Sequence, residues 1–402
     1  MIHPSNDFRA KPMSRKILHL DLDAFFCAVE EQRDPGLAGQ PFAVGGRPEQ
    51  RGVVASCSYA ARRYGLHSAM PMARAVRLCP ALLIVPARHE AYSAVSKQVM
   101  ARLHELTPLV EQLSIDEAFL DVSDLADSGE AIARHLQAEI RTQLRLPCSL
   151  GVAGNKLVAK IANNVGKAAA RGGNTPQAIT VVPPGQEAAF LAPLPVEELW
   201  GVGPKTAESL AKLGLRTIGD IAGWPETDLA RRFGKLGLEL AQRARGSDER
   251  PVEPEHEAKS ISQETTFARD VTDEAVLRQT LRGQAEQVGR RLRLAKLQAT
   301  TIKLKIRWAD FTTLTRQTTL AQPTNLDREI FAEAVRLLEK TWPPGKRVRL
   351  IGLGVSHFES PGRQLGLWDS SFEDEQRLQE TLDGLRARYG RGAIKRGSQL
   401  KE

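Results

Sequence analysis

Apolar and polar residues alternate through KILHLDLD, so Ile17 to Leu22 reads as a short buried strand ending in two acids, with the helical run Ala24 to Gln32 directly after it. Helical spacing returns near Tyr92 to Glu105 and Glu130 to Leu144, and strand-like runs lie at 109–113, 118–122 and 148–153. The chain to about residue 180 is therefore mixed α/β. Pro183, Pro184, Pro193 and Pro195 mark a boundary, and the next 60 or so residues are short helical patterns broken by glycine, a small helical domain. Arg250 to Lys259, RPVEPEHEAK, has two prolines and several charges and predicts an extended, exposed linker. Beyond it come strand, helix, strand, strand, helix, strand: Ser260 to Phe267, Asp273 to Ala295, Ala299 to Trp308, Thr312 to Leu320, Leu326 to Trp342 and Arg347 to Phe358. That order predicts an α+β unit with helices on one sheet face. Gly362 to Glu402 is polar, but Leu378, Leu382, Leu385 and Tyr389 recur at helical spacing and predict one amphipathic helix that needs a partner to order.

Composition narrows the class. With 402 residues, 42% apolar and 26% charged, the chain is neither wholly disordered nor fibrous, and its length suggests two to four domains. Lys plus Arg number 56 against 48 Asp plus Glu, a net charge of +8 that favours an anionic partner. Cys27, Cys57, Cys79 and Cys148 are too scattered for a disulfide framework or a structural zinc site. Met1 to Lys16 is polar with no apolar core, and no uncharged run approaches the length of a membrane span. The expectation is a soluble, unexported protein of the cytoplasm.

The sharpest chemistry lies in LVEQLSIDEAFLDVS, residues 109–123, where two apolar β-type runs flank Ser114, Ile115, Asp116 and Glu117. In a straight strand, neighbours point to opposite faces, so Asp116 and Glu117 would not serve one site; a hairpin turn lets them converge. An acidic pair at a turn is most often simply solvated. With Asp21 beside that turn, three carboxylates would gather at one sheet edge and offer hard oxygen ligands to one or two Mg²⁺ ions. Two such ions about 4 Å apart activate an attacking hydroxyl and steady a leaving pyrophosphate. The chemistry indicated is phosphoryl transfer, common to polymerases and two-metal nucleases.

HLDLDAFFCAVE and, about 95 residues later, SIDEAFLD resemble the two acidic motifs of the Y-family DNA polymerases, the translesion enzymes, and most closely their DinB or DNA polymerase IV branch. The resemblance runs from about Lys16 to Phe358. It implies a multidomain α/β and α+β right hand: palm at 15–24 and 89–180, fingers at 25–88, helix-hairpin-helix thumb at 181–250, linker at 251–259, little finger at 260–359 and a flexible tail at 360–402. It implies that Asp21, Asp116 and Glu117 are catalytic and, with the Leu22 carbonyl, hold two Mg²⁺, and that Asp23 supports them. The implied activity is error-prone, template-directed addition of dNMPs from dNTPs to a primer 3′-hydroxyl, without proofreading. The alternative is a catalytically silent DNA adaptor of the same fold, bound to the clamp.

The resemblance also distributes binding roles. Phe26 falls on the steric-gate position, where an aromatic plate leaves no room for a ribose 2′-hydroxyl, while Phe25 is core. Residues 53–74 read by themselves as a strand turning into a basic helix; by resemblance they belong to the fingers, with Tyr59 and Arg62 on the triphosphate and Ser56 nearby. Small residues around them, Ala55, Ser58, Ala60, Ala61, Ser68 and Ala69, would leave an open site over the templating base. In GNKLVAKIANNVGKAAARGG, residues 154–173, isolated lysines on a helix are mostly solvated, but Lys167 matches the triphosphate-binding lysine. There the chain departs from the family: no Pro follows that lysine, and Asn163 and Asn164 stand where a small residue and an acid are usual.

In LWGVGPKTAESLAKLG, residues 199–214, Gly201 and Gly203 before a helix resemble a helix-hairpin-helix whose free N–H groups, with Lys205, receive a DNA phosphate. In TTIKLKIRW, Ile302, Leu304, Ile306 and Trp308 alternate with Lys303, Lys305 and Arg307, and Arg347 and Arg349 repeat the pattern, so one sheet face packs and the other is a row of cations. A solvated basic face would look the same, but two strands agreeing in sign favour a sequence-independent DNA platform. Gln364, Leu365, Gly366, Leu367 and Trp368 resemble the bacterial β sliding-clamp binding peptide. The partners implied are primer-template DNA, dNTP and that clamp, with the protein a monomer.

Overall fold

The computed structural model describes residues 15–169, 175–255, 257–360, 370–390 and 394. Two compact units result, residues 1–48 with 52–256 and residues 49–51 with 257–402. In the first, β1 (Ile17–Leu22) passes into α1 (Phe25–Arg33) through Asp23 and Ala24, the latter at φ +46°. Then follow β2 (Phe42–Gly45), β3 (Val54–Cys57), α2 (Tyr59–Arg62), α3 (Met72–Leu78), β4 (Leu83–Val85) and α4 (His89–Leu106). The acidic hairpin is β5 (Val110–Gln112) and β6 (Glu117–Asp121), followed by α5 (Gly129–Gln143), β7 (Cys148–Ala153), α6 (Lys156–Ala169) and β8 (Ile179–Val181). Five strands form one sheet in the order β5-β6-β1-β7-β8, and three form another in the order β3-β2-β4.

Two features place the site. β1, the central strand, is buried almost throughout, His19 included, as a buried strand was expected there. α6 lies close against β7 because Gly151 has no side chain: a Cβ there would stand 1.9 Å from the Ala159 carbonyl oxygen. The basic helix expected after β3 is instead broken, since the chain leaves α2 through Gly65 at φ +79° and re-enters a helix only at Met72.

The rest of this unit is helical, as the glycine-broken pattern predicted: α7 (Glu187–Leu191), α8 (Pro204–Ala211), α9 (Ile218–Gly223), α10 (Glu226–Phe233) and α11 (Lys235–Ala244). The segment after α11 has no helix or strand and is exposed, as expected, at every described position from Arg250 to Lys259 but one. Val252 is buried in the core of this unit, and the Glu253 N–H donates to Glu111 Oε2 at 2.9 Å. Two prolines and a charge run give an extended backbone, yet one apolar side chain suffices to dock it.

The second unit follows its predicted order: β9 (Ser260–Val271), α12 (Glu274–Leu294), β10 (Gln298–Trp308), β11 (Thr313–Thr324), α13 (Asp327–Thr341) and β12 (Val348–Glu359). Its antiparallel sheet runs β11-β10-β12-β9, with α12 and α13 on one face over Ile302, Leu304 and Ile306. Within the expected flexible tail, α14 (Ser370–Tyr389) is a helix tied to α12: Asp383 accepts from Arg293 at 2.7 Å, Arg386 reaches Glu286 at 3.5 Å, and Gln379 is buried. These ties are polar, and Leu378 and Tyr389 of the expected apolar stripe stay exposed. No helix among the described residues is long and apolar enough to cross a membrane.

Candidate active site

The hairpin that the acidic pair requires is present. Ser114 closes it: its Oγ accepts from the Asp116 and Glu117 N–H groups at 3.2 and 3.1 Å and donates to Asp116 Oδ1 at 2.5 Å. β6 then pairs antiparallel with β1, setting Glu117 opposite Asp21, so both side chains leave the same sheet face. Burial pushes the Asp116 carboxyl above the usual carboxylate range, against the Ser114 hydrogen bond, and the neighbouring Asp21 and Glu117 charges push it the same way.

Four residues one or two turns apart on α6 cover this face. Lys156 pairs with Glu111 at 2.7 Å, Lys160 with Glu117 at 2.7 Å, Asn163 with His19 at 3.0 Å, and Lys167 with both Asp21 and, at 3.1 Å, Asp23. The expectation that Lys156 and Lys160 are solvated fails: Lys156 is 4% exposed, and both neutralise acids on the strands below. The His19 ring, Nε2 3.3 Å from Oε2, and the Lys160 ammonium hold the Glu117 carboxyl down at about 2. Asp23 is buried and accepts from Ser149 Oγ and the Gln177 N–H; burial raises its carboxyl while Lys167 opposes that. Asp23 thus anchors Lys167.

Among the described residues, no group of three or more His, Cys, Asp or Glu side chains is arranged to hold a metal ion. The three acids are neighbours rather than a closed cage. Their donor set nonetheless fits hard divalent cations, and two ammonium groups already sit on it, neutralising the carboxylates that such ions would neutralise.

Beside Asp21 and Asp116 opens a cavity of about 290 Å³, whose walls include Leu22, Phe26, Ala55, Ser56, Tyr59, Arg62, Ser68 and Lys167. The expected nucleotide residues are therefore in one place. Arg62 stacks over the Tyr59 ring at 4.5 Å, which fixes both tips. Ser58 and Ala61, expected around the site, are instead buried; Ser58 caps α2 by accepting from the Ala61 N–H.

Sequence reasoning missed what stands behind Phe26. The Tyr92 ring stacks on it at 4.3 Å and 14°. Tyr92 is fully buried, and its hydroxyl donates to Glu30 Oε1 at 2.7 Å, while Arg88 pairs with the same carboxylate. In sequence Tyr92 is only one apolar position of a helical stripe; nothing local says that its neighbour is Phe26.

Residues 20–164 match the impB/mucB/samB family, residues 184–215 the helix-hairpin-helix motif of that family and residues 258–367 its C-terminal domain. A DNA polymerase IV of Desulfatibacillum aliphaticivorans is 41% identical over 94% of this chain and 95% of its own, and one from Dehalococcoides mccartyi is 40% identical over 96% and 98%. The chain belongs to the Y-family DNA polymerases, in the DNA polymerase IV branch. A solved Y-family DNA polymerase chimera built on Dbh superposes with a TM-score of 0.76 at 26% identity, over 86% of this chain and all of the other. Membership makes the protein a DNA-directed DNA polymerase with the right-hand fold.

Of the other expected residues of this polymerase, Gly201, Gly203 and Lys205 belong to the helical part of the first unit and Lys303, Lys305, Arg307, Arg347 and Arg349 to the second unit. Gly201, at φ +99°, and Gly203, the N-cap of α8, turn the chain so that Lys205 falls in the first helical turn. A Cβ on Gly201 would stand 2.7 Å from Arg243, which donates to the Trp200 carbonyl at 3.0 Å. On β10, Lys303, Lys305 and Arg307 all face away from α12 and α13, between buried neighbours. They are not a bare row of cations: Lys305 pairs with Glu264 at 2.9 Å across Gly352, Arg307 donates to Thr313 at 2.9 Å, and Arg349 lies over the Phe311 ring at 4.3 Å. Arg347 is exposed, one residue ahead of β12. Gln364, Leu365, Leu367 and Trp368 lie outside the described residues.

Proposed function

We propose that this cavity is the site of template-directed addition of deoxynucleoside monophosphates to a primer 3′-hydroxyl, in translesion synthesis. One observation carries the reading: Asp21 and Asp116, the Tyr59 and Arg62 pair, Lys167 and an aromatic floor converge on one cavity of about 290 Å³. Asp21, Asp116, Glu117 and the Leu22 carbonyl would hold two Mg²⁺. Bound there, such ions supply Lewis-acid activation of the hydroxyl and charge neutralisation for the departing pyrophosphate. The chain's own part is positional. Tyr59 and Arg62, with Ser56 beside them, hold the triphosphate, and Lys167, which here neutralises Asp21 and Asp23, is its third partner. Phe26 lies under the sugar and excludes the 2′-hydroxyl.

Extension of a labelled primer by the full chain with dNTPs and Mg²⁺ tests this; no extension would defeat it, and degradation of the duplex without dNTPs would favour a nuclease. No exonuclease site belongs to this reading, so misincorporated ends should persist.

The α8 N-terminus, with Gly201, Gly203 and Lys205, and the outer face of β10 and β12 are proposed to hold the DNA backbone without reading sequence. Removing one cation that neutralises a DNA phosphate should flatten the salt dependence of binding by about 0.9 in log–log slope. Lys303→Ala and Arg307→Ala are each expected to do so, uniformly across sequences. Lys305→Ala should do less, because its ammonium is already satisfied by Glu264. A fluorescence-anisotropy salt titration measures all three, and unchanged slopes would remove the platform.

Residues 364–368 are proposed to dock a bacterial sliding clamp, holding a monomeric, cytoplasmic polymerase at the chromosome and raising its local concentration at the primer end. Deleting them should spare basal extension and abolish stimulation by added clamp; retained stimulation would dismiss the peptide.

A further inference from the structure

The polar pair His19 and Asn163 is buried at the heart of the α6 interface and lines no part of the nucleotide cavity. The Asn163 Nδ2 lies 3.1 Å from the His19 carbonyl oxygen, 3.1 Å from the Ser149 carbonyl oxygen and 3.0 Å from His19 Nδ1. Two carbonyls can only accept, so the atom facing them is the amide nitrogen, and the flipped amide is excluded. An amide nitrogen cannot accept, so a proton on His19 Nδ1 would face a donor, and Nδ1 is the bare nitrogen. A neutral imidazole then carries its proton on Nε2, the atom 3.3 Å from Glu117 Oε2. Nε2 is buried and makes no hydrogen bond of standard geometry, and Glu117 Oε2, 3.3 Å away, is the charged acceptor beside it.

We propose that Asn163 and His19 are positioning residues for Glu117: the Asn163 amide fixes the tautomer of His19, and the His19 Nε2–H fixes the carboxylate. His19 and Lys160 both meet Glu117 at Oε2, and neither contact uses Oε1. The carboxylate is therefore oriented by one oxygen and offers the other. The orientation matters because Glu117 sits at the first residue of β6, where the Ser114 turn and the Leu22 N–H, which donates to the Asp116 carbonyl at 2.9 Å, hold the backbone and leave only the side chain to be oriented. Outer partners of this kind typically change metal affinity or activity by about 10- to 100-fold when removed.

The inference rests on the reading of Glu117 as a metal-holding catalytic carboxylate, and the experiment separates the two. Mn²⁺ binding to the full chain is followed by the loss of free Mn²⁺ signal in electron paramagnetic resonance, alongside primer-extension kinetics and thermal midpoints. Glu117→Gln tests the reading itself: wild-type binding and extension in that variant would overturn it. Given a defective Glu117→Gln, His19→Phe is expected to weaken Mn²⁺ binding about 10-fold and lower kcat about as much, with KM for dNTP within about twofold. His19→Gln, whose amide nitrogen falls near the Nε2 place, should recover most of the loss, and His19→Asn, whose amide falls near the Nδ1 place, should not. Asn163→Ala should lower both readouts about threefold to 10-fold, and add nothing to His19→Phe in the double variant, since both act on one carboxylate. Wild-type Mn²⁺ binding and kcat in a folded His19→Phe variant would overturn the proposal, as would additive losses in the double variant. Should His19→Phe fail to fold, the contrast between His19→Gln and His19→Asn decides: equal behaviour of the two would refute the role of the Nε2 proton.

Discussion

Asp116→Asn is expected to lower kcat for nucleotide addition on the order of 10³-fold while leaving the thermal midpoint unchanged or raised. The two effects share a cause. Burial, with the Asp21 and Glu117 charges adding to it, holds the Asp116 carboxyl above its unfolded value despite the Ser114 hydrogen bond. A group raised in the folded state contributes stability below its unfolded pKa and loses that contribution as pH rises through the folded one. At neutral pH the ionised side chain thus works against folding, and a neutral amide of the same shape relieves it. Glu117 behaves oppositely. The His19 ring and Lys160 hold it at about 2, so its contribution is present above the unfolded value and fades only as pH falls toward 2. Glu117→Gln should therefore lower the midpoint at pH 7 and Asp116→Asn should not. Midpoints of both variants measured from pH 4 to 8, beside single-turnover extension, check the pair. Wild-type extension by Asp116→Asn would remove it from the site, and a lowered midpoint would show that burial does not oppose its charge. Such opposition between activity and stability is what charges gathered for catalysis produce.

Local patterns carried much of this. Period-2 alternation in β10 and the helical runs around it gave the second unit almost element for element, because a sheet covered on one face writes its burial directly into the order of residues. The acidic hairpin was legible for a similar reason: two apolar runs leave SIDE no room but a turn. Tertiary pairings were not legible. Lys156 meets Glu111 from 45 residues away, and Asn163 meets His19 from 144, so neither lysine nor asparagine declares its partner. The spacing 156, 160, 163, 167 was in plain view as one helix face, yet a face of three lysines and an asparagine reads as solvated until acids are known to lie beneath it. Val252 was illegible likewise: its polar neighbours predicted exposure, and they are exposed while it alone is buried, whereas the α14 helix was legible from its spacing but its Arg293–Asp383 tie was not.

Phe26→Ala is expected to relax discrimination against ribonucleotides on the order of 100-fold, the equivalent of the roughly 1–3 kcal/mol by which an extra group strains a packed site. A plate alone does not give that selectivity, since a ring free to recoil would admit the 2′-hydroxyl at little cost. Here recoil is blocked. Tyr92 lies parallel behind Phe26 at 4.3 Å, and the Glu30 and Arg88 pair fixes its hydroxyl. His89 closes one edge at 6.0 Å, its ring nearly perpendicular. The proposed gate is therefore a stack backed by α4, and a second substitution tests this. Tyr92→Ala leaves the Phe26 ring in place but opens space behind it, so it should also raise ribonucleotide incorporation, by less than Phe26→Ala. The double variant should match Phe26→Ala alone, because a backstop without a plate has nothing to hold. Competition between dCTP and CTP opposite a template guanine measures each ratio. Unchanged ribonucleotide rejection by Phe26→Ala would assign the gate elsewhere. Unchanged rejection by Tyr92→Ala alone would mean that the plate is held by its own helix, through Phe25 and the packing of α1.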